Sequence, residues 1–81
     1  MSREPTDRQL EVVQHIYESI RLRGYPPTRR ELCEKLGLRS TNAVADLLRA
    51  AQKKGLLVLD TKTARGISLT PFALTQIRAT P

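Results

Sequence analysis

The chain has no tryptophan, one phenylalanine and two tyrosines. Proteins that hold single-stranded nucleic acid stack its bases on aromatic side chains, and no stacking platform of that kind is evident here. With Cys33 as its one cysteine, the chain cannot form an intrachain disulfide, which fits a reducing compartment. His15 is the one histidine, and a single His with a single Cys falls short of a zinc ligand set. No apolar run is long enough to span a bilayer and no signal-peptide pattern opens the chain. A cytoplasmic location without a membrane partner is therefore expected. No glycine-rich phosphate loop, nucleophile elbow or zinc motif is present. The chain is accordingly expected to be no enzyme, with no catalytic residue, no cofactor and no metal.

What is present is a folding composition, 40% hydrophobic and 27% charged. Its 81 residues suggest one domain spanning 1–81. So short a chain has a thin margin between core burial and lost chain entropy, so each apolar helix face is needed. The net charge of +6 is unevenly spread. Residues 1–20 carry Arg3 and Arg8 against Glu4, Asp7, Glu11 and Glu18, a net of −2. Residues 21–65 carry eleven basic side chains against Glu31, Glu34, Asp46 and Asp60, a net of +7. Such a field favours phosphate backbones or anionic membranes. A basic surface serving only solubility gives the same total, so charge alone leaves both readings open.

The richest stretch runs from Thr28 to Gln52. Thr28 and Glu31 form a capping box, which starts a helix after Thr28. Leu32, Cys33 and Leu36 give that helix an apolar side, and Gly37 ends it. Ser40 can cap the next helix. There Val44, Leu47, Leu48 and Ala51 follow the i, i+3, i+4, i+7 template, and Asn42, Ala45, Asp46, Arg49 and Lys53 form the opposite face. Two short helices joined by a tight glycine-containing turn are a helix-turn-helix, whose second helix enters the DNA major groove.

Upstream, Thr6 and Gln9 make a second capping box. Leu10, Val13, Ile16, Tyr17 and Ile20 are expected to form the buried stripe of a first helix ending near Arg23, with Gly24 as its stop. Tyr25-Pro26-Pro27 is a stiff connector. Downstream, Lys53 and Lys54 suit the negative helix end, and Gly55 stops the helix. Leu56–Leu59 and Ile67–Leu69 read as the two strands of a hairpin, with Lys62 and Arg65 near its tip. A lone hairpin is marginal, so it must lie on the helices. Thr70-Pro71 resembles a helix start, with Phe72, Leu74 and Ile77 packing back on the core. The expected fold is mainly α with a small β-hairpin. It is a winged helix-turn-helix, a three-helix bundle with a two-stranded wing and a short C-terminal helix.

Arg29, Arg30, Arg39, Arg49, Lys53, Lys62 and Arg65 are phosphate-contact candidates, although each could equally be a solvated surface charge. Asn42 can pair with adenine and Asp46 can accept from cytosine N4. Asn42 could instead cap the helix start. Cys33 reads as a small core residue.

Pro26-Pro27-Thr28-Arg29, Leu36-Gly37-Leu38-Arg39-Ser40, Asn42-Ala43, Lys54-Gly55 and Arg65-Gly66-Ile67 together resemble the DNA-binding domain of LexA repressors. The resemblance runs from about Thr6 to Leu69. It implies a repressor that binds as a dimer to palindromic operators of DNA-damage-response (SOS) genes. It also implies operator contacts from the serine and asparagine that Ser40 and Asn42 match. The base-contact set then becomes Ser40, Asn42, Ala43, Ala45 and Asp46, and Thr28 and Thr41 join the phosphate-contact set. Members of the family often carry an adjacent acidic pair where this chain has Ala45-Asp46, so base preference can differ. No counterpart of the family's self-cleaving serine–lysine protease domain, which also dimerises the repressor, is present in this sequence. The chain is then a fragment or a free-standing small regulator, expected to be monomeric when free and to pair on DNA. The rival from another class is a protein-interaction module whose winged-helix surface docks on a partner regulator.

Overall fold

Thr6 opens the first helix, α1 (Asp7–Arg23), by the reciprocal bonds of a capping box. Its hydroxyl oxygen accepts the Gln9 N–H at 3.1 Å, and the Gln9 Oε1 accepts the Thr6 N–H at 3.0 Å. The computed structural model describes residues 5–60, 62 and 66–78. Residues 1–4, Arg65 with most of the wing turn, and 79–81 lie outside the described residues. Gly24 ends α1, donating its N–H to the Ile20 carbonyl at 2.8 Å.

The second helix, α2 (Arg29–Leu36), repeats the box with Thr28 and Glu31, at 3.1 and 2.8 Å. The connector between them is anchored. Pro27 is buried, the Ser19 hydroxyl donates to the Tyr25 carbonyl at 3.0 Å, and the Arg23 guanidinium lies 4.7 Å above the Tyr25 ring. Arg23 also pairs with Glu31 at 2.9 Å, and Arg8 donates to the Leu36 carbonyl at 3.4 Å. The end of α1 is thus tied to the start of α2, and the start of α1 to the end of α2.

The turn after α2 is closed by backbone and side chain together. Gly37, at φ 68°, donates to Glu34, and the Leu38 N–H donates to the Cys33 carbonyl at 3.0 Å, the Schellman arrangement. The Cys33 thiol then donates to the Leu38 carbonyl at 3.0 Å. Cys33 is half-buried and packs at the edge of the core, so it braces the turn more than it fills the centre.

Ser40 caps α3 (Thr41–Lys53), accepting the Ala43 N–H at 3.4 Å. Gly55, at φ 79°, ends it, and the Leu56 N–H still donates back to Ala51. Because Leu56 belongs to that helix ending, β1 covers Leu57–Leu59 and starts one residue later than expected. β2 covers Ile67–Leu69 and pairs antiparallel with it, Leu57 opposite Leu69 and Leu59 opposite Ile67. Leu57 and Ile67 turn inward while Val58 and Ser68 face water. The hairpin therefore lays one face on the helices. Thr70 caps α4 (Pro71–Arg78) through the Ala73 N–H, as the Thr-Pro start suggests.

The core joins Val12, Val13 and Ile16 of α1, Leu32 and Leu36 of α2, Val44, Leu48 and Ala51 of α3, Leu56, the hairpin and Ala73. Three expectations about it need correction. On α1 the buried arc is Gln9, Val12, Val13, Ile16 and Ser19, while Leu10, Tyr17 and Ile20 are half-buried. α1 is covered by α2, α3, α4 and β2 at once, so its buried arc follows its neighbours and not its largest side chains. On α3, Leu47 is half-buried at the edge of the face that Val44, Leu48 and Ala51 fill. On α4, Ala73 is buried and Phe72 is 42% exposed, because Phe72 stands about 100° round the helix from it. Leu74 and Ile77 are half-buried, and Ile77 packs against the core.

Candidate nucleic-acid interface

The face of α3 that points away from the core is a single stripe. Asn42, Asp46, Arg49 and Lys53 recur at helical spacing and all are exposed. Ala43 and Ala45, at its edges, are half-buried. Small side chains there let the helix axis come close to a groove floor. Ser40 and Thr41, at the helix start, are exposed.

The capping alternative for Asn42 falls away, because Ser40 performs that role. Among the described residues no side-chain partner holds the Asn42 amide, so its donor and acceptor can both be turned toward a base edge. Asp46 forms an ion pair with Arg49, one turn on, and both side chains are largely exposed. The pairing offsets the repulsion a carboxylate would feel among phosphates.

The electrostatics of the helix starts differ. Asp7 and Glu31 lie in the first turns of α1 and α2, whereas the first turn of α3 holds no acid. Its positive dipole end has no internal counter-charge, which suits an anion. At α2, Glu31 is occupied by the Thr28 N–H and by Arg23. The hydrogen bond to that carboxylate is the main cause holding the Arg23 pKa above its ordinary value. Arg29, half-buried, and Arg30, exposed, stand in the same turn of α2. Thr28 is half-buried with its N–H and hydroxyl oxygen engaged in the cap, which leaves the hydroxyl proton to donate. Arg39 is exposed in the helix-turn-helix turn. Lys62 is exposed in the wing, where its N–H donates to the Asp60 carboxylate at 2.9 Å and fixes the local turn. Arg65 lies outside the described residues.

His15 is half-buried on α1, and its Nδ1 has no hydrogen-bond partner among the described residues. Among those residues no group of three or more His, Cys, Asp or Glu could hold a metal ion. No helix among them is long and apolar enough to cross a membrane.

Residues 2–66 match the family model of the LexA DNA binding domain. The chain belongs to the LexA DNA-binding domain family. Over its full length it is 42% identical to a LexA repressor of Enterococcus faecalis, of which it covers 39%. Over 80% of its length it is 49% identical to a LexA repressor of Halorhodospira halophila, covering 29% of that protein. It is 50% identical over 84% of its length to one from an Anaeromyxobacter species, again covering 29%. The chain thus spans between 29% and 39% of these relatives. The LexA match takes in α1, α2, α3 and β1 and ends at Gly66, before β2 and α4.

Within this LexA domain the structure brings out side-chain contacts that the sequence did not single out. Arg23, Ser19 and Tyr25 lock the connector that leads into α2. Gln52 reaches from α3 to the wing, its Oε1 accepting the Leu59 N–H at 2.8 Å. A polar residue in the last turn of a helix has no spacing signal that distinguishes such a contact from plain solvation.

Proposed function

We propose that the chain binds double-stranded DNA in a sequence-specific manner and acts as a LexA-like transcriptional repressor of DNA-damage-response genes. Helix α3 lies in the major groove. Asn42 and Asp46 read base edges, supported by Ser40, Ala43 and Ala45. Thr28, Arg29, Arg30, Arg39, Thr41, Arg49, Lys53, Lys62 and Arg65 hold the backbone. The observation that carries this reading is the exposed Asn42–Asp46–Arg49–Lys53 stripe on a capped helix whose first turn lacks an acid. Repression is steric, since an occupied operator excludes polymerase. The free chain is monomeric and pairs on adjacent half-sites of a palindrome.

Selection from random duplex DNA tests the reading. Enrichment of a palindromic sequence supports it, and the absence of any enriched sequence overturns it. Titration of the full chain against selected and scrambled duplexes at several salt concentrations then separates reading from holding. In this reading Lys62, in the wing turn, reaches only phosphate or the minor-groove rim. Lys62→Ala is expected to weaken both duplexes alike and to flatten the plot of log K against log salt by about one unit. A loss confined to the selected duplex would make Lys62 a reader.

A further inference from the structure

Besides the packing of Leu57 and Ile67 on the core, one side-chain hydrogen bond ties the wing's first strand to the helix proposed to read bases. Leu56 and Asp60, which flank β1, turn their backbone groups to the residues that flank β2. The Leu56 carbonyl accepts the Thr70 N–H at 3.1 Å, and the Asp60 N–H donates to Gly66 at 2.6 Å. Strand alternation then points the Leu59 N–H to the opposite edge. Among the described residues the sheet has two strands, and no third strand receives it there. The Gln52 Oε1 stands in that place at 2.8 Å.

The hairpin is thus pinned twice. At its base Thr70 bonds Leu56 through its backbone N–H and donates its hydroxyl to the Gly55 carbonyl. At its far end Gln52 takes the last residue of β1. Between the pins the hairpin has the three residue pairs of its register, and so short a two-stranded sheet is marginal alone. Gln52 shares α3 with Asn42, Asp46 and Arg49. The far pin therefore places the wing in the frame of the stripe itself, and Lys62 follows three residues beyond Leu59.

We propose that Gln52 is the positioning residue of the wing, setting the hairpin's angle to α3 so that Lys62 meets a phosphate only while the Gln52–Leu59 hydrogen bond holds. The proposal rests on the DNA-binding reading above. Removing the acceptor without removing charge then acts on binding as if a positive charge had been lost.

The test is a double-mutant cycle on the full chain, with selected and scrambled duplexes titrated at several salt concentrations. Gln52→Met keeps the side chain's length but lacks a strong acceptor, and Gln52→Glu keeps the acceptor. Lys62→Ala is expected to weaken the parent about three- to tenfold on both duplexes. In the Gln52→Met background the same change is expected to cost less than about twofold. Gln52→Met alone should flatten the salt plot although the net charge is unchanged, and should speed hydrogen exchange at the Leu59 amide while the helix amides stay protected. In the Gln52→Glu background Lys62→Ala should again cost its full factor. Equal Lys62→Ala losses in the parent and Gln52→Met backgrounds, with the parent binding DNA, overturn the coupling alone. A parent that binds neither duplex overturns the DNA-binding reading and the proposal with it.

Discussion

Leu48→Ala is expected to lower the unfolding free energy by about 2–5 kcal/mol. Leu48 is 0% exposed on the buried face of α3, between Val44 and Ala51, and α3 packs on α1, α2 and β1. Truncation there removes apolar burial and leaves a cavity among side chains held by three elements. Small domains have a total stability of about 5–15 kcal/mol, so the loss is a large share of it. Each kcal/mol moves the midpoint of a domain this size by roughly 4–8 °C, so a melting curve should shift by about 10 °C or more. Leu47→Ala is the internal control. Leu47 is the same residue type one position away but half-buried, and should cost less than half as much. Equal shifts for the two variants, or a shift of only a few degrees for Leu48→Ala, would mean that the buried arc of α3 lies elsewhere.

Asn42→Ala is expected to cost about 1–3 kcal/mol of binding on the selected duplex and little on a scrambled one. Asn42 is exposed on the first turn of α3, and in the proposed docking its side chain reaches base edges. The substitution does not remove the cap, because Ser40 provides it, and alanine is the better helix former. Thermal stability should therefore hold while discrimination falls, and the two can be read on one sample. If both duplexes weakened alike, α3 would not be the reader. If neither Asn42→Ala nor Lys62→Ala altered binding, or the parent bound neither duplex, a protein-docking role for the winged surface would replace the DNA reading.

The helix boundaries were legible because each is written in local chemistry. Thr6, Thr28 and Ser40 each accept a backbone N–H within three residues, and Gly24, Gly37 and Gly55 each take the positive φ that ends a helix. Such signals need no knowledge of the tertiary fold. The buried faces were only partly legible. Periodicity places Val13 and Ile16 inside but promotes Leu10 and Tyr17 over Val12, because a template begun at Leu10 selects by angular phase and cannot say from which directions other elements arrive. Phe72 shows the same limit, since the phase set by the Thr70 cap turns Ala73 inward. In the candidate interface the stripe on α3 follows from spacing. The Asp46–Arg49 pair could be suspected from its i, i+3 separation. The Gln52–Leu59 bond could not, because it joins a helix side chain to a strand backbone across a turn whose course no local rule supplies.

The corner at Gly37 obeys a different rule from the core around Leu48. Nothing lies within 4 Å of where a Cβ on Gly37 would stand, so there is room for a side chain. What excludes one is the backbone's mirror sense, since φ 68° strains an L residue and relaxes a D residue. A D-alanine built into a synthetic chain would fit that corner unstrained while narrowing the conformations open to the unfolded chain. An L-alanine would narrow them too, but in the wrong sense. At this one position the same methyl group strengthens or weakens the protein according to its chirality, not its volume.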